Sequence, residues 1–102
     1  MINIKPGVQF HLHTFSNSTI SRIPLAAYFT SPTDYHPTIT SGCDGKHKVN
    51  SKHYTGKALD FRIRDFPADP ATWAGRMQAQ LGDEYFVGLE LKKNHIHVQF
   101  NG

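Results

Sequence analysis

Two segments of the chain, 57–63 and 94–100, alternate apolar and polar residues with a period of two. A β-strand sends successive side chains to opposite faces, so each segment predicts a strand with one face in the core and one polar face. This alternation is the strongest constraint on the fold, because a one-residue shift would exchange the two faces. The apolar face carries Leu59, Phe61 and Ile63 in the first segment and Ile96 and Val98 in the second.

Residues 85–100 predict a β-hairpin with Lys92-Lys93 as its turn. A two-residue turn pairs Leu91 with Asn94 and therefore Glu90 with His95. Cross-strand partners share a face of the sheet. The predicted polar face therefore carries Glu90, His95 and His97 from the hairpin and Ala58, Asp60 and Arg62 from the earlier strand.

Residues 69–82 give the clearest helix signal. Asp69 is a preferred N-cap, Pro70 suits the first helical position and Gly82 suits the C-terminal cap. The apolar stripe of this helix is Trp73, Met77 and Leu81. A second helix is predicted to begin at Asn17 or Ser18 and to end before 31–34, with Pro24 close enough to its start to be tolerated. Its apolar residues are Ile20, Ile23, Ala26, Ala27 and Phe29.

A short strand at 38–41 and a weaker one at 8–13 complete the predicted elements. The expected fold class is α+β, a small antiparallel sheet with helices packed on one face. A length of 102 residues fits one domain, 1–102, without a separate wall-binding domain.

Composition excludes several classes of protein. One cysteine rules out an internal disulfide framework and a Cys-rich zinc finger. No apolar run is long enough to span a membrane, and we expect no signal peptide. A net charge of +3 suits an acidic partner but is low for a dedicated DNA binder. A nuclease is also disfavoured, because no Gly-rich phosphate loop or stacking motif is present.

Seven histidines are many for a chain of this length. His53 precedes Asp60 by seven residues, and the pair His95 and His97 follows on another strand. Two imidazoles and one carboxylate are a suitable ligand set for catalytic zinc, with the fourth position left to water. Alternating polar residues on a solvated strand are the ordinary alternative. His11 and His13 have the same spacing as the second pair, but nothing nearby completes a site.

The segment 51–60 reads Ser-x-His-x-x-Gly-x-Ala-x-Asp, and His95-Ile96-His97 follows downstream. This combination resembles the zinc D-Ala-D-Ala carboxypeptidases and L-Ala-D-Glu endopeptidases, peptidoglycan metallopeptidases with the hedgehog/DD-peptidase fold. The similarity covers about 38–100, and 41–47 resembles the short, phage-type members. The resemblance implies one zinc ion held by His53, Asp60 and His97. It implies that His95 contacts water or the tetrahedral intermediate and that Ser51 supports the substrate or the His53 loop.

Two positions depart from the family pattern. Many members carry a glutamate general base three residues before the first histidine of the pair, where this chain has Lys92. Glu90 is the expected substitute, because the hairpin register directs it to the polar face beside His95. The family's substrate-binding arginine is replaced by Cys43 or Asp44. Positive charge near the substrate is then expected from Lys46, His47, Lys48 or Arg62, of which His47 and Arg62 are the candidate substrate-binding residues.

The sequence therefore predicts a monomeric zinc peptidase that cleaves an amide bond in peptidoglycan stem peptides, with Glu90 and His95 as catalytic residues. Which bond is cut, D-Ala-D-Ala or L-Ala-D-Glu, stays open. The alternative is a non-catalytic, zinc-containing binding module of the same fold. We expect a phage or prophage endolysin, made in the cytoplasm and acting at the cell wall.

Overall fold

The structure is a computed structural model, and it describes residues 2–9, 18–42 and 57–102. These residues form an α+β domain with a five-stranded sheet and two helices. The elements in chain order are β1 (Asn3–Ile4), α1 (Ser18–Thr30), β2 (Thr38–Ser41), β3 (Ala58–Arg62), α2 (Pro70–Leu81), β4 (Tyr85–Glu90), a 3₁₀ turn (Leu91–Lys93) and β5 (His95–Phe100).

The sheet has the strand order β1-β2-β3-β5-β4 and is mixed. The expected antiparallel pairing is confirmed for β2–β3, β3–β5 and β4–β5, but β1 pairs with β2 in parallel. Main-chain hydrogen bonds hold β1: the Asn3 N–H donates to Pro37 O at 2.8 Å and the Lys5 N–H donates to Ile39 O at 2.9 Å. Both residues of β1 are exposed, so no apolar alternation marks this strand in the sequence.

The core lies against one face of the sheet. On β3 and β5, Leu59 pairs with Val98 and Phe61 pairs with Ile96, and all four side chains are fully buried. The apolar sides of α1 and α2 belong to the same buried cluster. The predicted core-facing residues of 57–63 and 94–100 are thus confirmed, and both helices contribute to the core on this face. Exposure alternates in β5, whereas in β3 Ala58 and Asp60 of the other face are buried as well.

The helix α2 has the predicted ends. The Asp69 carboxylate accepts a hydrogen bond from the Ala71 N–H at 3.3 Å and one from the Thr72 hydroxyl at 2.9 Å. At the other end Gly82 has a φ of 93°, in the left-handed region that glycine adopts without strain, and its N–H donates to Gln78 O. The predicted stripe of Trp73, Met77 and Leu81 is buried.

The helix α1 continues through Pro24 and ends at Thr30, as predicted. Ile20, Ile23, Ala26 and Ala27 are buried, whereas Phe29 is 67% exposed and does not join the apolar stripe. The indole N–H of Trp73 donates to Ala27 O at 3.3 Å and to the Thr30 hydroxyl at 3.1 Å. This polar contact joins the C-terminal turn of α1 to α2.

The hairpin has the predicted register but a different turn. Glu90 pairs with His95, Leu89 with Ile96 and Gly88 with His97. The connection comprises four residues, 91–94, rather than Lys92-Lys93 alone, and Asn94 closes it with a φ of 57°. The strand β4 ends one residue earlier and β5 begins one residue later than expected, which leaves the pairing unchanged. Leu91 consequently leaves the sheet and is 65% exposed.

The weak strand expected at 8–13 is not formed at Val8 and Gln9, and its remaining positions lie outside the described residues. Within the described ranges, no helix has both the length and the apolar character needed to cross a membrane.

Candidate functional site

The polar face of the sheet brings together residues from three adjacent strands. Asp60 on β3 is opposite His97 on β5, and His97 is opposite Gly88 on β4. In the neighbouring row, His95 on β5 lies between Arg62 and Glu90. The sequence predicted that these polar residues share a face, and the central position of β5 makes them neighbours in space.

Asp60 and His97 are in direct contact at the centre of this face. Asp60 Oδ1 lies 3.0 Å from His97 Nδ1, and Asp60 is 4% exposed. Burial alone would lower the pKa of His97. Hydrogen bonds to Asp60 and Gln99, together with the charges of Asp60 and Glu90, outweigh that effect and raise the pKa. The raised pKa of His97 thus reflects its contact with the buried carboxylate of Asp60.

Glu90 and His95 form a second contact at the rim of the same face. His95 Nε2 is 2.8 Å from Glu90 Oε1 and 3.7 Å from Asp60 Oδ2. The same ring nitrogen of His95 therefore lies near both carboxylates. Lys93 Nζ approaches Glu90 Oε2 at 3.8 Å, but both side chains are substantially exposed, so solvent screens this pair.

Gln99 is a site residue that the sequence analysis missed. Its amide oxygen lies 2.7 Å from His97 Nε2, and its amide N–H donates to Asn101 Oδ1 at 2.6 Å. The alternation that placed His95 and His97 on the polar face continues to Gln99. This alternation therefore predicts that Gln99 lies on the polar face. Its role was missed because an amide side chain is neither a usual zinc ligand nor a base.

Phe86 is a second missed residue. It lies on β4 two positions before Gly88, is 50% exposed, and has its ring centroid 6.5 Å from that of His97. A Cβ atom at Gly88 would stand 2.7 Å from the Phe86 ring. The absence of a side chain at Gly88 therefore lets this aromatic ring lie beside the histidine.

Three of these side chains are close enough to bind one metal ion. One ligand atom each from Asp60, Glu90 and His97 falls within 4.8 Å of the others. Two ligands at about 2.0–2.1 Å from a tetrahedral zinc ion are roughly 3.3 Å apart. The Asp60–His97 distance of 3.0 Å is close to that value, so a metal ion would require little movement of this pair.

The other expected site residues divide into two groups. His53, Ser51 and His47 lie outside the described residues, together with Cys43, Asp44, Lys46, Lys48, His11 and His13. Arg62 is half-buried in the row of His95 and Glu90. The pKa of the nearby Tyr35 phenol is raised by burial and by its hydrogen bond to Asp65, and the charge of Arg62 opposes that shift. The substrate-binding role of Arg62 stays a prediction.

Comparisons with models of protein families, with curated proteins and with solved structures find no match for this chain. The function proposed below is therefore inferred from the chemistry of the site and from the motif in 51–60.

Proposed function

We propose that this protein is a zinc-dependent peptidase that cleaves an amide bond in peptidoglycan stem peptides. The observation that carries the metal site of this proposal is the group formed by Asp60, Glu90 and His97, whose ligand atoms lie within 4.8 Å of one another on the polar face of the sheet. The peptidase activity is proposed from the resemblance of 51–60 and 95–97 to the peptidase motif. Carboxylate oxygen and imidazole nitrogen are the ligand types of hydrolytic zinc sites.

The proposed ligands are Asp60, His97 and His53. The first two already stand in contact, and Asp60 is buried, which suits a ligand held in one rotamer. His53 comes from the resemblance of 51–60 to the peptidase motif. Three protein ligands leave one coordination position for water or substrate, as catalytic sites require.

When bound, zinc would polarise the scissile carbonyl and lower the pKa of water toward ~7. Glu90 then serves as the general base in this proposal. Its carboxylate takes a proton from the water that attacks the carbonyl carbon and delivers it to the leaving amine as the C–N bond breaks. The contact of 2.8 Å with His95 orients the Glu90 carboxylate on the site face.

We extend the proposal to the fold and the site of action. The mixed sheet with two helices on one face is proposed to be a variant of the hedgehog/DD-peptidase fold. The proposed place of action is the cell wall, with a phage or prophage as the source. A peptide of the wall is the partner, and Arg62, Ser51 and His47 are the proposed substrate contacts.

Digestion of purified peptidoglycan tests the proposal directly. Muropeptides released by the protein are identified by mass spectrometry in parallel reactions with and without a chelator, and zinc is added back to the chelated sample. We expect cleavage that stops with chelator and returns with zinc, and the product masses identify the bond. Unchanged muropeptides in the presence of saturating zinc would reject the peptidase function.

One observation favours the non-catalytic alternative. Glu90 belongs to the same group of ligand atoms as Asp60 and His97. If Glu90 coordinated zinc beside His53, four protein ligands would close the site, and closed sites are structural. The Glu90→Gln variant separates the two functions, because a general base can be replaced without loss of zinc whereas a ligand cannot.

A further inference from the structure

The histidine at the centre of the site has both ring nitrogens engaged, each by a different kind of group. Nδ1 of His97 faces the Asp60 carboxylate at 3.0 Å, and Nε2 faces the Gln99 amide oxygen at 2.7 Å. A carbonyl oxygen only accepts hydrogen bonds. In this orientation of the amide, Nε2 carries a hydrogen and donates it to Gln99.

The Gln99 amide makes a second contact. Its nitrogen donates to Asn101 Oδ1 at 2.6 Å while its oxygen faces His97. A bound metal would favour this orientation. With zinc on Nδ1, Nε2 carries the ring hydrogen, and only the amide oxygen of Gln99 can accept it.

We propose that Gln99 is a positioning residue that reserves Nε2 of His97 for hydrogen bonding and leaves Nδ1 as the nitrogen that binds the metal. This inference rests on the proposed function in taking zinc to be bound by His97 and Asp60. Histidine ligands commonly donate their second N–H to a carbonyl or carboxylate, which fixes the ring and raises its basicity as a ligand. Nδ1 is also the nitrogen already next to the Asp60 oxygen.

Substitutions at Gln99 separate hydrogen bonding from packing. Gln99→Met retains the length of the side chain but removes the acceptor, and Gln99→Glu retains an oxygen acceptor. Gln80→Met is the matched control, because Gln80 is exposed on α2, away from the site. Competition with a chromogenic chelator at fixed pH gives the zinc affinity. We expect Gln99→Met to weaken zinc binding by roughly 10- to 100-fold, while Gln99→Glu and Gln80→Met stay within about threefold of the unsubstituted protein.

Long-range ¹H–¹⁵N correlation spectra of the zinc-loaded protein identify the ligating atom of His97 independently of affinity. We expect a protonated Nε2 and a zinc-bound Nδ1. Zinc on Nε2, or unchanged affinity in Gln99→Met, would overturn the inference while leaving the peptidase proposal intact. Zinc binding as expected, but without cleavage of peptidoglycan, would reject the peptidase and support the positioning role. A protein that binds no zinc would reject both.

Discussion

Glu90 and His95 are cross-strand partners whose side chains meet at 2.8 Å, although the four-residue connection 91–94 separates them in the chain. The pairing directs the carboxylate to the same face as Asp60 and His97. A one-residue shift of this pairing would direct Glu90 to the core, where burial of an unpaired carboxylate is energetically unfavourable. The hairpin register thus decides whether this chain has a candidate general base.

Replacement of Glu90 by Gln tests that role. Gln has nearly the same shape but cannot accept the proton of water, so we expect zinc and the fold to be retained while the cleavage rate falls by roughly 10²–10⁴. Zinc content and the rate of muropeptide release are the measurements. Normal turnover would exclude Glu90 as the base, and loss of zinc would instead identify it as a ligand.

The proposed ligands predict the metal content of the protein. We expect about one zinc per chain, and a sharp reduction in Asp60→Ala or His97→Ala, because a catalytic site has only three protein ligands. The exposed His36, changed to Ala, is the control. Elemental analysis of the purified variants gives the occupancy. Full occupancy in the His53→Ala/His97→Ala double variant would rule out this assignment.

Local sequence patterns predict most of the framework around the site. The alternation in 57–63 and 94–100 predicts which residues of β3 and β5 share the polar face, and the cap residues predict both ends of α2. These features depend on neighbours in the chain. The parallel pairing of β1 depends on main-chain bonds to a distant segment, and its exposed side chains leave no trace in the hydrophobic pattern.

Dependence on three-dimensional contacts also explains why Gln99 and Phe86 were not predicted as site residues. Gln99 lies on the predicted polar face, but its role depends on the contact of its amide with the ring of His97. Phe86 looks like an ordinary strand residue. Its ring can lie beside His97 because Gly88 has no side chain, and this arrangement is visible only in the folded sheet.

The pKa of His97 predicts how the stability of the metal-free protein changes with pH. Burial opposes the charged ring, but the hydrogen bonds to Asp60 and Gln99 and the nearby carboxylate charges raise the pKa in the folded state. A raised pKa means that the folded state binds the proton more tightly than the unfolded state. The resulting stabilisation is complete below about pH 6.5, the ordinary histidine value, and is lost as pH rises through the folded-state pKa.

Urea denaturation with chelator present, between pH 5 and pH 9, measures this effect. We expect the stability difference between the unsubstituted protein and His97→Gln to shrink as pH rises above about 6.5. Asp60→Asn, which removes the negative charge next to the ring, should lower the pKa of His97 in an NMR titration. A stability difference that grows with pH would contradict the raised pKa.

The hydrogen bonds of the Gln78 side chain indicate that it contributes to stability independently of the metal site. Its amide nitrogen donates to Gly82 O at 3.1 Å and to Tyr85 O at 2.7 Å, and its oxygen accepts from the Val87 N–H at 3.0 Å. One side chain thus ties the end of α2 to β4. We expect Gln78→Met to lose about 1–3 kcal/mol in urea denaturation, since it removes hydrogen bonds to the half-buried Val87 N–H and to Tyr85 O, although Gly82 O still accepts from the Tyr85 N–H. Gln80→Met should leave stability unchanged, and zinc binding should survive in both variants.

The ring of Phe86 predicts an effect on substrate binding. It is a half-exposed apolar surface beside His97, where a peptide substrate of the proposed enzyme would lie. We expect Phe86→Ala to raise KM with little change in kcat or zinc content, because the ring contributes binding surface rather than a proton or a ligand. Gly88→Ala should act similarly, since its Cβ would stand 2.7 Å from the ring and displace it. Phe29→Ala, at an exposed aromatic residue on α1, is the control for loss of apolar surface alone. A fall in kcat at unchanged KM would place Phe86 in the chemical step instead of in substrate binding.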